Sequence, residues 1–243
     1  GNVSVTGTLD LNTYSETING LSGAGTVDTV LGGTPTLTVG GDNQSSTFSG
    51  VIKNTLGTLT LTKTGSGTLT LSTATNTYSG GTILDGGTLS IDADARLGDV
   101  NGGITVNSNS TLKSTTTAPF TIAATRTVTI NNGITLTIDT TNAVTPFIQV
   151  AGKVTGLGGL LVTGGNQILF TNTANDFTGP LSIGEMSSTN QTQAWFTSIA
   201  DSAVPTQITF AQLSAPEQFF GYNGSNEAVL TNRSLNLTGT GIN

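Results

Sequence analysis

Short runs in which threonine alternates with leucine, isoleucine or valine recur along the chain, and they limit the folds open to it. Clear examples are residues 58–62, 68–72 and 88–91. A period of two places the aliphatic side chains on one face of a strand and the hydroxyls on the other. Glycine, asparagine and aspartate separate the runs. Short strands about every ten residues are typical of a β-sandwich, a β-barrel or a β-solenoid.

A repeated short motif decides between these three architectures. An aromatic residue, a serine or threonine, and a glycine follow one another at residues 48–50, 78–80 and 177–179. Each copy follows a stretch rich in asparagine, serine and threonine and precedes a short apolar pair. Such self-similarity indicates stacked repeats. We therefore predict an all-β, right-handed parallel β-helix with roughly 20–25 residues per coil and about ten coils.

The prediction divides the chain into three parts. Residues 1–183 form the β-solenoid, and residues 184–230 form a less regular, aromatic-containing insertion packed on it. Residues 231–243 supply a final coil strand, which we expect to continue beyond this segment. Residues 1–10 are already strand-like and contain no signal peptide. We therefore expect a mature fragment, or one domain of a longer protein.

Composition excludes several classes of function. Only 9% of the residues are charged, against about 25% in ordinary globular proteins, and the net charge is −7. Seven thinly spread basic residues make no nucleic-acid-binding face, and no apolar run approaches the ~20 residues of a membrane helix. Cysteine and histidine are absent. Most metal sites, cysteine nucleophiles and histidine-based triads are thereby excluded, and we predict no cofactor.

One segment resembles a known family. The sequence "LTKTGSGTLTLSTATNTYSGGTILDGGTLSIDADARLGD", residues 61–99, closely resembles the autotransporter-associated β-strand repeat, also called the passenger-associated transport repeat. Residues 18–27, 46–52 and 230–241 are similar to companion segments of that repeat. The resemblance implies a right-handed β-helix in a large protein that a Gram-negative-type bacterium exports across its outer membrane. The motif contains no catalytic residue that can be carried over.

The "NTYSGG" sequence at residues 76–81 is either a ligand site or a structural corner. As a site, Tyr78 would stack on a ligand and Asn76 would supply hydrogen bonds. As a corner, Gly80 and Gly81 would supply turn dihedrals that other residues avoid, while Asn76 bonds the turn backbone. Phenylalanine stands at the Tyr78 position of the other copies, which favours a corner with a dispensable hydroxyl. The predicted corner residues are Phe48, Gly50, Asn76, Tyr78, Gly80, Gly81, Phe177 and Gly179.

Acidic residues raise two further hypotheses. Hard oxygen ligands for calcium are available at Asp92, Asp94 and Asp99. The calcium β-roll sequence pattern is absent, however, and Arg96 is an alternative ion-pair partner for one of these aspartates. Polysaccharide cleavage requires two carboxylates that flank the sugar. The candidates for that chemistry are Asp139, Asp176 and Glu185. None of the acids lies in a distinctive motif, so we predict that the chain is not an enzyme.

The alternation lapses between residues 184 and 230, where the single tryptophan lies. Trp195, Phe196 and Tyr222 are the candidates for stacking on sugar rings, and a small satellite core is the alternative. Residues 195–205 also suit a short helix that ends before Pro205.

The function predicted from the sequence is structural. A rigid stalk, or a stacking unit of an extracellular fibre, on or outside the bacterial surface fits the repeats best. Its partners would be adjacent repeats of one long chain, or copies of itself stacked end to end. A glycan- or host-binding adhesin that recognises surface glycans is the first alternative, and a polysaccharide-cleaving enzyme is the second.

Overall fold

The computed structural model describes residues 1–141 and 148–184, together with four later strands. The chain forms two compact units, which we call unit 1 (Gly1–Leu112) and unit 2 (Lys113–Asn243). Among the residues described, the regular structure of both units is strand, apart from one 3-10 helix at Asp94–Arg96. No helix in the described part is long and apolar enough to cross a membrane.

Unit 1 is a stack of coils that visit three faces in turn. Its first face holds β1 (Val3–Val5), β4 (Leu21–Gly23), β7 (Ser46–Phe48), β10 (Thr68–Leu71) and β12 (Gly87–Ile91). Its second face holds β2 (Thr8–Asp10), β5 (Thr26–Asp28) and β8 (Val51–Ile52). Its third face holds β3 (Glu16–Ile18), β6 (Thr36–Val39), β9 (Thr60–Thr64), β11 (Thr82–Asp85) and β13 (Ile104–Val106). Strand β14 (Ser110–Ser114) spans the boundary between the units.

Unit 2 also consists of stacked strands. One stack holds β17 (Thr135–Asp139), β20 (Gly159–Thr163), β22 (Leu181–Ile183), β24 (Gln207–Phe210) and β26 (Ser234–Leu237). A second holds β16 (Val128–Ile130) and β19 (Val154–Gly156). A third holds β15 (Phe120–Ile122), β18 (Ile148–Val150), β21 (Gln167–Phe170), β23 (Gln193–Phe196) and β25 (Phe219–Tyr222).

Similar residues of neighbouring coils lie directly beside one another in the stacks. This register brings the aliphatic residues of the alternating pattern together in the core. Strands β10 and β12 pair in parallel, with Leu69 opposite Leu89 and Leu71 opposite Ile91. All four side chains are buried. Each added coil therefore extends an apolar column inside and a hydroxyl column outside, since strand side chains alternate between faces. The predicted all-β, parallel β-solenoid is confirmed.

Counted from the described strands of one face, the solenoid has about seven turns, slightly fewer than the roughly ten that the sequence predicts. Strands β3, β6, β9, β11 and β13 mark five turns of unit 1, and β16 and β19 mark two of unit 2. The prediction divided the full length by a coil length, whereas after Gly184 only four separate strands are described.

Three of these late strands fall in the segment predicted to be irregular. Strand β23 pairs in parallel with β21, β24 with β22, and β25 with β23. The helix predicted for residues 195–205 is therefore wrong at Trp195 and Phe196, which belong to β23. The rest of that predicted helix lies outside the described residues.

Candidate functional site

Asn76 joins three consecutive coils through one buried side chain. Its Oδ1 accepts the N–H of Ile52 at 2.9 Å, while the N–H of Thr77 donates to the Ile52 carbonyl at 2.9 Å. The side-chain carbonyl thus replaces a main-chain carbonyl in the pairing with β8. On its other side, Nδ2 donates to the Arg96 carbonyl at 2.8 Å. Asn76 therefore satisfies backbone groups of the coils before and after its own.

Asn175 repeats the first half of this arrangement in unit 2, whereas its Nδ2 donates within its own coil, to the Asn172 carbonyl at 2.7 Å. Its Oδ1 accepts the N–H of Val154 at 2.8 Å, and the N–H of Asp176 donates to the Val154 carbonyl at 3.0 Å. The side chain is fully buried and lies two residues before Phe177. The sequence prediction missed Asn175, although the shared spacing of asparagine, any residue and an aromatic residue was visible in "NTY" and "NDF".

Phe48 departs from the corner that we predicted for it. It ends strand β7, where it lies opposite Leu71. Two residues earlier stands Ser46 rather than asparagine, and its hydroxyl accepts the N–H of Leu21 at 3.1 Å. Only the Tyr78 and Phe177 copies thus share the asparagine arrangement. All three aromatic side chains are nonetheless buried, which leaves no exposed ring at these positions for a ligand.

The hydroxyl of Tyr78 has a partner that the sequence prediction overlooked. Tyr78 Oη and Thr82 Oγ1 lie 2.7 Å apart, and both side chains are buried. Four residues after Phe177 stands Leu181, which has no hydroxyl to offer. The Tyr78 hydroxyl is therefore matched to Thr82 rather than dispensable.

The corner glycines are required mainly because coils approach one another closely. Gly81 has a φ of 79°, as predicted for a turn glycine. Gly80 has no positive φ, but a Cβ there would lie 2.3 Å from Thr60 Oγ1. At Gly50 a Cβ would lie 2.0 Å from the Gly25 carbonyl oxygen, and at Gly179 the equivalent distance to a neighbouring carbonyl is 2.1 Å. Contact between coils, rather than dihedral freedom, explains these three glycines.

Lys63 is a cation inside the apolar column of the third face. It lies between Val39 and Leu84 in register, and its exposed fraction is 1%. Its Nζ donates to the carbonyls of Thr64 at 2.6 Å and Gly65 at 3.0 Å, and to that of Gly86 in the next coil at 3.3 Å. Burial lowers the pKa of Lys63 to about 8.

Among the described residues, three ion pairs connect coil to coil, each between a lysine and an aspartate. Lys53 pairs with Asp28 at 3.1 Å in unit 1. In unit 2, Lys113 pairs with Asp139 at 2.9 Å and Lys153 with Asp176 at 2.6 Å. Burial acts to raise the pKa of each aspartate, but hydrogen bonds and the lysine charge outweigh burial, so the pKa is lowered.

The remaining described basic side chains are also engaged within the fold. Arg96 Nε donates to Asp92 at 2.6 Å, and its Nη1 donates to the Ala74 carbonyl at 2.8 Å. Arg126 is fully buried. Together with Lys63 and the three ion-paired lysines, they are all the basic residues of residues 1–141 and 148–184. This part of the chain therefore presents no basic patch for an anionic ligand.

The predicted calcium ligands are not brought together. Asp92 is bound to Arg96, Asp94 begins the 3-10 helix, and Asp99 accepts the N–H of Asn101 at 2.8 Å. Among the described residues, no group of three acidic side chains is arranged to hold a metal ion.

The carboxylates considered for polysaccharide cleavage have the wrong protonation for a general acid. Asp139 and Asp176 are both ion-paired, and the pKa of each is lowered. A glycosidase acid requires a raised pKa so that it carries a proton near neutral pH. Glu185 lies outside the described residues.

Register separates the three aromatic residues proposed for ligand stacking. Phe196 lies opposite Phe170, which is fully buried, and Tyr222 lies opposite Phe196. Trp195 takes the alternate position, opposite Leu169, which is half-buried. The three residues therefore do not occupy one face of the sheet.

Comparison with known proteins identifies part of the chain. Residues 61–91 match the family model of the passenger-associated-transport-repeat. This segment of the chain is therefore similar to a passenger-associated transport repeat. Neither the curated proteins nor the solved structures contain a match to the chain.

The transport repeat corresponds to a coil together with the start of the next. It begins within β9 and ends with β12, and it contains both partners of the β10–β12 pair. Most of the β9–β11 pair lies within it as well. Lys63 and the Asn76–Gly81 corner are thus parts of the transport repeat, and their contacts explain why it stacks.

The Tyr78–Thr82 contact in the transport repeat leads to a stability prediction. Tyr78→Phe should cost about 1–2 kcal/mol, because the buried Thr82 hydroxyl loses this partner. The Tyr78→Phe/Thr82→Val double variant should lose much less stability than the sum of the two single variants, which corresponds to a coupling energy of about 1 kcal/mol. Urea denaturation of the wild type, the two single variants and the double variant measures this energy. Strict additivity would contradict the contact.

Lys63 in the transport repeat should make stability depend on pH in alkaline solution. The unfolded chain holds this proton up to its ordinary pKa of 10.5, whereas the folded protein releases it near 8. Between these values the unfolded state binds more protons, so the free energy of unfolding rises with pH, by up to about 3 kcal/mol. Urea titrations at pH 8 and pH 10.5 test this, with Lys63→Met as the control that should abolish the rise. Equal pH dependence in both proteins would contradict it.

Proposed function

We propose that this segment is a structural, non-catalytic spacer in the exported passenger of a bacterial surface or secreted protein. The proposal rests on one observation: the buried polar and ion-paired side chains that the structure describes connect neighbouring coils. Buried amides at Asn76 and Asn175, the ammonium of Lys63 and three lysine–aspartate pairs all join one coil to the next. Groups used in this way stiffen a stack.

Export is supported by the transport repeat, which is a feature of passengers, and by a fold that needs no disulfide. The chain has no cysteine, so its stability is independent of the redox state on either side of an outer membrane. Coil-to-coil contacts take the place that disulfides fill in many small secreted domains.

A stalk within one long chain is favoured over a unit that polymerises with itself. The net charge is −7, and the described basic side chains are already paired or buried within the fold. Two copies would therefore bring like charges together, and the cations of the described residues are already committed to partners within the fold.

The test uses the bacterium and the complete protein. An epitope placed at the exposed residue Leu31 should be labelled by antibody on intact cells, or recovered from the medium. The purified protein should sediment as monomers at low and physiological salt. Labelling only after the cells are opened would overturn the location, and long rods in electron micrographs would favour the fibre unit instead.

A further inference from the structure

Three asparagine–glycine pairs lie in the described part of the chain, and their surroundings differ. The pairs are Asn19–Gly20, Asn101–Gly102 and Asn132–Gly133. Such a pair is chemically labile, because glycine has no Cβ and its backbone nitrogen can approach the preceding side-chain amide closely. Attack on that amide requires both groups to be free to meet in the right geometry. The local structure of each pair therefore decides whether it can react.

Hydrogen bonds hold the first two pairs in place. Asn19 Nδ2 donates to Asp42 Oδ2 at 2.8 Å, and the glycine that follows Asn19 is buried. Asn101 Nδ2 donates to Asp99 Oδ1 at 2.9 Å, and the N–H of Gly102 donates to the Asp99 carbonyl at 2.9 Å. These contacts must break before either asparagine can react with the glycine after it.

The third pair forms the tip of the turn between β16 and β17, and it is not held in this way. Asn131, Asn132 and Gly133 are all exposed, and the N–H of Ile134 closes the turn on the Asn131 carbonyl at 3.2 Å. Among the described residues, neither Asn132 nor Gly133 has a hydrogen-bond partner. A Cβ on Gly133 would meet nothing within 4 Å. The reacting groups of this pair are therefore accessible and unobstructed.

We propose that Asn132 is a site of spontaneous deamidation in the folded protein, with water as the co-reactant. The Gly133 nitrogen loses its proton to a solvent base and bonds to Cγ of Asn132. The Cγ–Nδ2 bond breaks, and Nδ2 takes a proton from water and leaves as ammonia. Water then opens the resulting succinimide at either carbonyl, which gives aspartate or isoaspartate. The reaction involves no oxidation or reduction, and it does not depend on the spacer function.

The strands on either side of the turn are anchored separately, so the reaction should leave the coil folded. The N–H of Gly158 donates to the Ile130 carbonyl at 3.0 Å, and that of Gly159 donates to the Ile134 carbonyl at 2.8 Å. Both bonds lie outside the reacting pair. The product carries a carboxylate at neutral pH in place of an uncharged amide. We therefore expect the folded protein to accumulate a more acidic form with time.

Tryptic digestion separates the three pairs, because the basic residues place them on peptides 1–53, 97–113 and 127–153. The folded full chain is incubated at physiological pH and temperature, and mass spectrometry with fragmentation follows the conversion of each asparagine. We expect Asn132 to convert at least about tenfold faster than Asn19 and Asn101, whose pairs must first open locally. In urea the three rates should converge, since the protection of the other two pairs is structural.

Two variants complete the test. Asn132→Gln should nearly abolish conversion in peptide 127–153, because the longer side chain would have to close a larger and less favourable ring. Asn101→Gln should leave the rate at Asn132 unchanged. Urea midpoints establish that each variant is folded. Equal or faster conversion of Asn19 or Asn101 in the folded protein would overturn the proposal. The same rate difference in urea, or unchanged conversion of peptide 127–153 in Asn132→Gln, would overturn it as well.

Discussion

Gly50→Ala is expected to destabilise the solenoid by about 4 kcal/mol or more. The new Cβ would lie 2.0 Å from the carbonyl oxygen of Gly25 and 2.5 Å from Cζ of Phe48. Neither atom can retreat easily, because the first is backbone and the second belongs to a buried ring. The two coils would have to separate locally, which also weakens the hydrogen bond from Val51 N–H to Gly25. Urea denaturation, or loss of soluble protein, reports the effect.

Gly7→Ala is the matched control for this experiment. Gly7 lies in the same unit, has no positive φ, and a Cβ there would meet nothing within 4 Å. Its replacement should change stability by less than about 0.5 kcal/mol. Similar stabilities for the two variants would show that the coils do not approach as closely as the structure places them.

Asn76→Ala should have the second largest effect, about 2–4 kcal/mol. The change leaves the N–H of Ile52 and the carbonyl of Arg96 without this partner, one in each neighbouring coil. Asn175→Ala should be similar in unit 2, because Asn175 bonds Val154 in the same way. Urea denaturation gives the free energies, and hydrogen exchange at Ile52 should quicken in the first variant.

Asn101→Ala serves as the control for the asparagine variants. Asn101 is exposed, and its side chain donates to Asp99 only two residues away. We expect a loss below about 1 kcal/mol. An Asn76→Ala protein as stable as the Asn101→Ala protein would contradict the bridging role.

The fold was predictable because its pattern is local and repeated. The run of threonine and leucine at residues 68–71 becomes strand β10, and the matching run at residues 88–91 lies directly beside it. Alternation fixes which side chains enter the core, and the repeat of similar strands requires stacking. Neither inference needs knowledge of contacts between distant residues.

Contacts that depend on register could not be predicted from the sequence. Lys63 follows Leu59 and Leu61 at inward positions, but a lysine in a polar context is ordinarily assigned to the surface. Its carbonyl partner in the next coil, Gly86, becomes apparent only once β9 and β11 are aligned. The same holds for Lys153 and Asp176, which are 23 residues apart.

The corner was predictable as a type of structure, but not in its details. Asn76 and Tyr78 showed the chemistry of a turn, yet the sequence does not reveal that Asn76 replaces a main-chain carbonyl. Phe48 shares the motif but ends strand β7, and Ser46 stands where the other copies have asparagine. A motif of three residues was too short to separate these two environments.

Deletion of one coil tests the central claim, that the segment is a stack of equivalent coils with a structural role. Because Leu89 lies directly on Leu69, removing residues 69–88 from the complete protein should remove one turn in register. We predict that this protein still reaches the cell surface or the medium and resists protease, whereas one lacking only residues 69–78 is degraded. Loss of both proteins, or equal survival of both, would contradict the account.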